Sequence, residues 1–260
     1  MSNPLSLNYK IFGQGSPVVI LHGLFGTLDN WQTIGKQLAE HYMVVLIDQR
    51  NHGRSPHVVG MNYQLLADDL HHFLGQNWIH QTHLIGHSMG GKVAMQMALE
   101  YGDAVDKLVV VDIAPKSYSG GHELILDALL AFPLDAVEDR KEAEVFLSQH
   151  GIADFGIRQF LLKNLTRTKD GNYEWKMNLL EINKHYEDIL ANVPATASFK
   201  GKTLFVRGEQ SNYILDSDVP TIQTYFPNAA LQTVPQAGHW VHADAPKALL
   251  EIILNFLGGA

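Results

Sequence analysis

The chain predicts an α/β fold: a mostly parallel, twisted sheet with helices on both faces and a block of helices inserted late in the chain. Three observations carry this. Short apolar, β-branched runs alternate with stretches of helical periodicity, as in parallel sheets covered on both faces. The alternation stops between about Pro115 and Thr196, where the pattern is helical only, and resumes at Phe199. A serine between glycines, in Gly86-His87-Ser88-Met89-Gly90, joins an apolar run to a helix-forming run. That is the context of a strained strand-turn-helix elbow.

Taken in order, Leu7 to Phe12 and Val18 to Leu21 read as the first strands. Tyr42 to Ile47 has no polar face, so a buried strand is expected there. Thr82 to Ile85 leads into the elbow, and Leu108 to Val111, Thr203 to Val206 and Leu231 to Val234 follow as strands. Trp31 to Glu40, Tyr63 to Leu74, Met89 to Tyr101 and Pro246 to Phe256 have the spacing of covering helices. Within the interruption, Glu123 to Ala131, Arg140 to Gln149, Phe155 to Leu165 and Asn178 to Asn192 read as helices, with a turn at Asp170-Gly171. The expected division is a core of residues 1–114 and 197–260 and a helical cap of residues 115–196. Open α/β sheets bind ligands outside the carboxyl ends of their strands. A cap over that edge would line a pocket with Phe132, Phe146, Phe155, Phe160, Trp175 and Met177.

Composition narrows the function. With 260 residues, 46% hydrophobic and 18% charged, the chain suits one domain with an insertion. A formal net charge of −8 and no basic run argue against nucleic acid and anionic membrane surfaces as partners. There is no cysteine, which removes disulfides, thiol catalysis and thiolate metal sites. Met1-Ser-Asn-Pro-Leu-Ser lacks a basic region followed by an apolar core, so no secretory signal is expected. Apolar runs such as Lys107 to Ile113 are too short to span a bilayer. The expectation is a cytoplasmic protein without stable membrane insertion, as a monomer or homodimer. The pairs His71-His72 and His239-x-x-His242 lack a third ligand, so no metal site is expected.

The elbow points to nucleophilic catalysis. A serine hydroxyl is a poor nucleophile until a base takes its proton, and that base needs an orienting acid. At the start of a helix, Ser88 would also sit where free N–H groups and the helix dipole favour an oxyanion. The base is expected at His239, in Gln236-Ala-Gly238-His239-Trp240, between the last strand and the last helix. Its rival, His242, is expected to cap or pack the final helix. For the acid, the loop Arg207-Gly208-Glu209-Gln210-Ser211-Asn212 has serine at position 211, where aspartate is common. Asp112, at the end of Val109-Val110-Val111, is favoured over Glu209, Asp216 and Asp218, because it lies beside the nucleophile strand. The oxyanion donors are expected to be the N–H groups of Met89 and Leu24, with Phe25 the alternative to Leu24 in the His22-Gly23-Leu24-Phe25-Gly26 loop. His22 and the polar turn Asp48 to Ser55 are assigned to scaffolding. Phe25, His87, Trp175 and Trp240 are the expected substrate contacts.

Together, His22-Gly23, Asp48 to Ser55, Gly86 to Gly91 and Gly238-His239 resemble the α/β-hydrolase superfamily across almost the whole chain. Asn51 stands where that superfamily usually has glycine, a change expected to affect only local turn geometry. Within the superfamily, His22 to Gly26, Asp48 to His52, Gly86 to Gly91, Val111 to Pro115 and Trp175 to Asn178 resemble the small bacterial YbfF-type esterases. The resemblance implies the α/β-hydrolase fold and an acid after the strand that follows the elbow helix, which matches Asp112. It also implies hydrolysis of a small-molecule acyl ester, thioesters included, through an acyl-enzyme and without cofactors. Carbon–carbon bond hydrolysis, cofactor-free perhydrolysis and non-turnover ligand reception remain open alternatives on the same constellation.

Overall fold

A computed structural model describes residues 5–194 and 197–258. The opening residues on which the signal reading rested, Met1 to Pro4, and the predicted cap boundary at Thr196 lie outside the described residues.

Seven strands form one sheet: β1 (Tyr9–Phe12), β2 (Pro17–Leu21), β3 (Met43–Ile47), β4 (Thr82–His87), β5 (Val105–Val111), β8 (Lys202–Gly208) and β9 (Ala229–Val234). Their order is β1-β3-β2-β4-β5-β8-β9. β1 runs antiparallel to β3 at one edge, and the paired strands beyond it are parallel. Side chains alternate along a strand, so each strand feeds two cores. Val18 and Ile20 pack with Trp31, Ile34, Leu249 and Ile253 on one face. Val19 and Leu21 pack with Leu66, Phe73, Val93 and Met97 on the other.

The first face is covered by α1 (Gln32–Leu38) and α11 (Pro246–Leu257). In α11 the buried residues Leu249, Ile253 and Leu257 recur at helical spacing. The second face carries α2 (Tyr63–Gln76), α3 (Met89–Glu100) and α9 (Val219–Tyr225). The Asn62 side chain caps α2 by accepting from Leu65 N–H. α3 is buried on almost every side, so its polar residues Lys92 and Gln96 are buried with it.

The predicted strands are present, most of them longer than the apolar pattern alone implied; the first and third are shorter, beginning at Tyr9 and Met43. Between β5 and β8 lie α4 (Glu123–Leu130), α5 (Arg140–Gln149), α6 (Phe155–Leu162), α7 (Leu179–Lys184) and α8 (Tyr186–Leu190). The expectation of helices only is corrected there. Leu165–Arg167 and Tyr173–Trp175 pair as a two-stranded antiparallel hairpin, β6 and β7, around the Asp170-Gly171 turn. Strands of three residues are too short to show a period of two. The expected helix Asn178 to Asn192 is likewise two helices, divided at His185.

Buried and partly buried hydrogen bonds tie this segment to the rest. Asn164 Nδ2 donates to Phe25 O at 2.6 Å, and Tyr63 Oη–H to Ile189 O at 2.5 Å. Lys92 Nζ donates to Ala191 O at 2.5 Å and Leu190 O at 3.2 Å. Asn51 does more than shape its turn. Its carbonyl accepts from Asn178 N–H at 2.8 Å, and its Oδ1 accepts from Val58 N–H at 2.8 Å and Asn178 Nδ2 at 3.2 Å. A glycine would lack those side-chain contacts. Among the described residues no helix is long and apolar enough to cross a membrane.

Candidate active site

β4 ends at His87, and α3 begins at Met89, leaving Ser88 as the single residue of the turn. Its backbone has φ 53° and ψ −122°, outside the comfortable regions for a side chain with a Cβ. Two close approaches hold it. A Cβ on Gly86 would collide with the carbonyl of Gly90, and one on Gly90 would collide with the carbonyls of Leu21 and His22. Glycine is required at both places because backbone meets backbone.

The structure brings Ser88, His239 and Asp112 together. Ser88 Oγ lies 3.0 Å from His239 Nε2, and His239 Nδ1 lies 2.8 Å from Asp112 Oδ2. Asp112 is fully buried at the end of β5, with φ 53°. Gly208 N–H donates to its Oδ1 at 3.0 Å, and Ser211 Oγ–H donates to its Oδ2. A carboxylate so supplied can only accept, so His239 Nδ1 carries the proton and Nε2 accepts from the serine. Ser211, which lacks the carboxylate common at its position, instead supports the carboxylate of Asp112. Glu209 accepts from Gln236 N–H, Asp216 from Arg207, and Asp218 from Lys116. None of these carboxylates is hydrogen-bonded to His239.

His239 is held from other sides as well. Tyr213 stacks on its ring at 3.7 Å between centroids. His87 Nε2 lies 2.8 Å from the His239 carbonyl, which can only accept, so His87 donates there. His87 also lines the cleft, yet this hydrogen bond makes it a positioning residue for the histidine loop. His242 lies in the short helix α10 (Val241–Asp244), ahead of the final helix, and stacks on Trp31 at 4.9 Å. It borders the cleft rather than capping α11.

The His22 to Gly26 loop is oriented by its hydrogen bonds. Gly23 O accepts from Gly26 N–H at 2.9 Å and from His22 Nδ1–H at 2.8 Å. In a trans peptide the N–H points opposite to that carbonyl, so Leu24 N–H turns away from these partners. Phe25 N–H is already committed to His52 Nε2 at 3.3 Å, so of these two N–H groups it is the Leu24 one that is free. Among the described residues, neither Leu24 N–H nor Met89 N–H makes a hydrogen bond. Both residues line a cavity with Ser88. The polar turn braces the loop: Asp48 accepts from Leu28 N–H and Arg54 N–H, and Arg50 is paired with buried Asp69. His22 Nε2 accepts from Gln49 N–H at 3.1 Å.

Two cavities meet at Ser88. One is lined by Phe25, Ile125, Ile157, Phe160, His239 and Trp240. The other is lined by Met89, Lys92, Ile113, Tyr118, Ile189 and Tyr213. Phe25 and Trp240, expected to contact substrate, border the cleft. Trp175 does not. It is buried in β7, edge-on to Phe132 at 5.0 Å, because Tyr173 and Trp175 face inward from the hairpin. Of the six expected pocket residues in the helical segment, only Phe160 borders the cleft among the described residues, and Phe155 is exposed. His122, Ile125, Ile157 and Leu161 take those places. Sequence pattern distinguishes apolar residues, not which side of a small helical block they face.

Burial lowers the basicity of several histidines. It pushes His52 down to about 3 and His242 to about 4, with neighbouring histidines adding to it, and holds His87 well below 6.5. Unfolding would return these groups to about 6.5. Below that pH the unfolded chain binds the extra protons. The stability is therefore complete above about pH 6.5 and is lost as pH falls through the folded values. The urea midpoint is expected to fall steadily between pH 7 and pH 4, each such histidine contributing up to ~1.4 kcal/mol per pH unit. A His242→Gln variant should show a shallower fall. A midpoint flat over that range would contradict the assignment.

The sequence model for the alpha/beta hydrolase fold family matches residues 16–246. The chain is 40% identical to the sn-1-specific diacylglycerol lipase ABHD11 of Danio rerio, over 98% of this chain and 84% of that protein. It is 36% identical to esterase YbfF of Escherichia coli, over 93% of each. A solved structure described as a marine microorganism esterase superposes with a TM-score of 0.95 at 42% identity, covering 97% of this chain and 99% of that one. By sequence over most of its length and by architecture, this chain belongs to the alpha/beta hydrolase fold family.

Proposed function

We propose that this chain is a carboxylic ester hydrolase acting through Ser88, His239 and Asp112. The observation that carries the reading is the hydrogen-bonded series Ser88–His239–Asp112 beside two uncommitted N–H groups, at the junction of two cavities. Relatives named as esterase and lipase support it.

Ser88 Oγ attacks the acyl carbon as its proton passes to His239 Nε2. The carbonyl oxygen gains negative charge and accepts from Leu24 N–H and Met89 N–H. Asp112 holds the imidazole in the required tautomer and stabilises the imidazolium. His239 then returns the proton to the leaving oxygen, or to the sulfur of a thioester, and the acyl group remains on Ser88. Water, deprotonated by His239, attacks the acyl-enzyme and releases the acid. The steps close on side chains, backbone amides and water. In this reading residues 115–196 act as a cap over a core of 1–114 and 197–260, with Ile125, Ile157, Phe160 and Leu161 supplying apolar wall.

Stopped-flow release of p-nitrophenol from p-nitrophenyl butanoate tests the reading. A burst of about one product per chain followed by steady turnover is expected where deacylation is slower than acylation, together with an acyl adduct on the Ser88 peptide by mass spectrometry. An adduct on another residue, or a single event without turnover, would reject it. The latter would favour a ligand receptor.

A further inference from the structure

His122 is a residue the mechanism above does not use, yet it borders both cavities that meet at Ser88. It precedes α4 as its N-cap residue, and its ring is held by Tyr186, the first residue of α8. The Tyr186 hydroxyl accepts from His122 backbone N–H at 2.9 Å and lies 3.1 Å from His122 Nδ1. A hydroxyl has one proton to give. Among the described residues His122 Nδ1 is the one acceptor within reach of that proton, so the Tyr186 hydroxyl donates to it. Nδ1 is then the acceptor, and Nε2 carries the ring's hydrogen.

That hydrogen has no protein acceptor among the described residues, and Nε2 is not among the fully enclosed unpaired atoms. Nδ1 of His242, which lines the same cavity, is in contrast enclosed without a partner among the described residues. Burial, and next the positive charge His239 takes up, push His122 down to about 4, so the ring is neutral at pH 7. A neutral imidazole with a fixed tautomer is a directional donor. The side of the substrate it meets follows from the proton path. His239 must return its proton to the leaving oxygen, so the alcohol part lies in the cavity that His239 borders, with His122, Phe25, Ile125 and Trp240.

We propose that His122 is a specificity residue, whose Nε2–H donates to a second oxygen carried by the alcohol part of the ester near the scissile bond. The preferred substrates are then esters of alkoxy- or acyloxy-substituted alcohols over plain alkyl esters. This rests on the ester hydrolase reading.

The test compares 2-methoxyethyl butanoate with butyl butanoate, which differ by one oxygen in place of a methylene. Wild type is expected to favour the methoxyethyl ester in kcat/KM. His122→Leu should lower that ratio by about 2- to 10-fold, as removal of one hydrogen bond would, and His122→Gln should restore part of it. Tyr186→Phe releases the tautomer and should move the ratio in the same direction by less. It also provides a second reading if the leucine variant does not fold. An unchanged ratio in His122→Leu or, if that variant does not fold, in Tyr186→Phe overturns the proposal, even if both esters slow equally. So does a wild type that treats the two esters alike. A wild type that turns over neither ester, and forms no acyl adduct, overturns the hydrolase reading beneath it.

Discussion

Ser88→Ala is expected to lower kcat on p-nitrophenyl esters by on the order of 10⁴- to 10⁶-fold, with the folded structure retained. The size follows from what is lost. Without Oγ there is no covalent intermediate, and His239 has no proton to take. The uncommitted Leu24 and Met89 N–H groups and the cavities persist, so a residual rate over water should remain. Folding should be little changed, because among the described residues the hydroxyl bonds only to His239. Circular dichroism and a urea titration beside the kinetics separate the two effects. Substantial activity in this variant would remove Ser88 from the mechanism.

Asp112→Asn is expected to cost about 10⁴-fold in kcat at neutral pH. The geometry says why. Gly208 N–H must meet an oxygen, so the amide oxygen of an asparagine takes the place of Oδ1. Its NH₂ then occupies the place of Oδ2 and faces His239 Nδ1. A donor there forces the proton onto His239 Nε2, where it can no longer accept from Ser88. Ser211→Ala should cost much less, since it removes one hydrogen bond to the carboxylate, worth about 1.5–3 kcal/mol, and leaves the tautomer correct. If Ser211→Ala proved as damaging as Asp112→Asn, or if Asp112→Asn kept near-normal turnover, the acid would have to be sought elsewhere, with Glu209 the first to replace.

Much of this architecture was legible along the chain because it is written in local pattern. Runs such as Val18 to Leu21 and Val109 to Val111 are apolar on both faces, and a strand so built must be covered on both sides. The elbow was legible because close approach at Gly86 and Gly90 tolerates no Cβ. The hairpin around Asp170-Gly171 was not, because its three-residue strands carry no measurable period. The facing of Trp175 was also hidden, since a buried aromatic and a cleft aromatic look alike in sequence. His122 had no motif at all, and as one of 14 histidines it could not stand out.

By itself, then, the sequence determined the layered α/β frame, the place of the serine turn and the loops from which a base and two amide donors could come. These depend on periodicity and on glycine positions, which act between near neighbours. The sequence favoured Asp112 and Leu24 but left their rivals open; tertiary structure set Asp112, rather than Glu209, Asp216 or Asp218, against His239, gave it Ser211, and committed the Phe25 N–H while leaving that of Leu24 free. It also decided that Asn51 reaches Asn178, and that the Tyr186 hydroxyl meets His122 Nδ1. Each of these is a directional hydrogen bond between residues brought together by folding. Such a bond forms only when two loop backbones are fixed to within a few tenths of an ångström, and no local pattern encodes that.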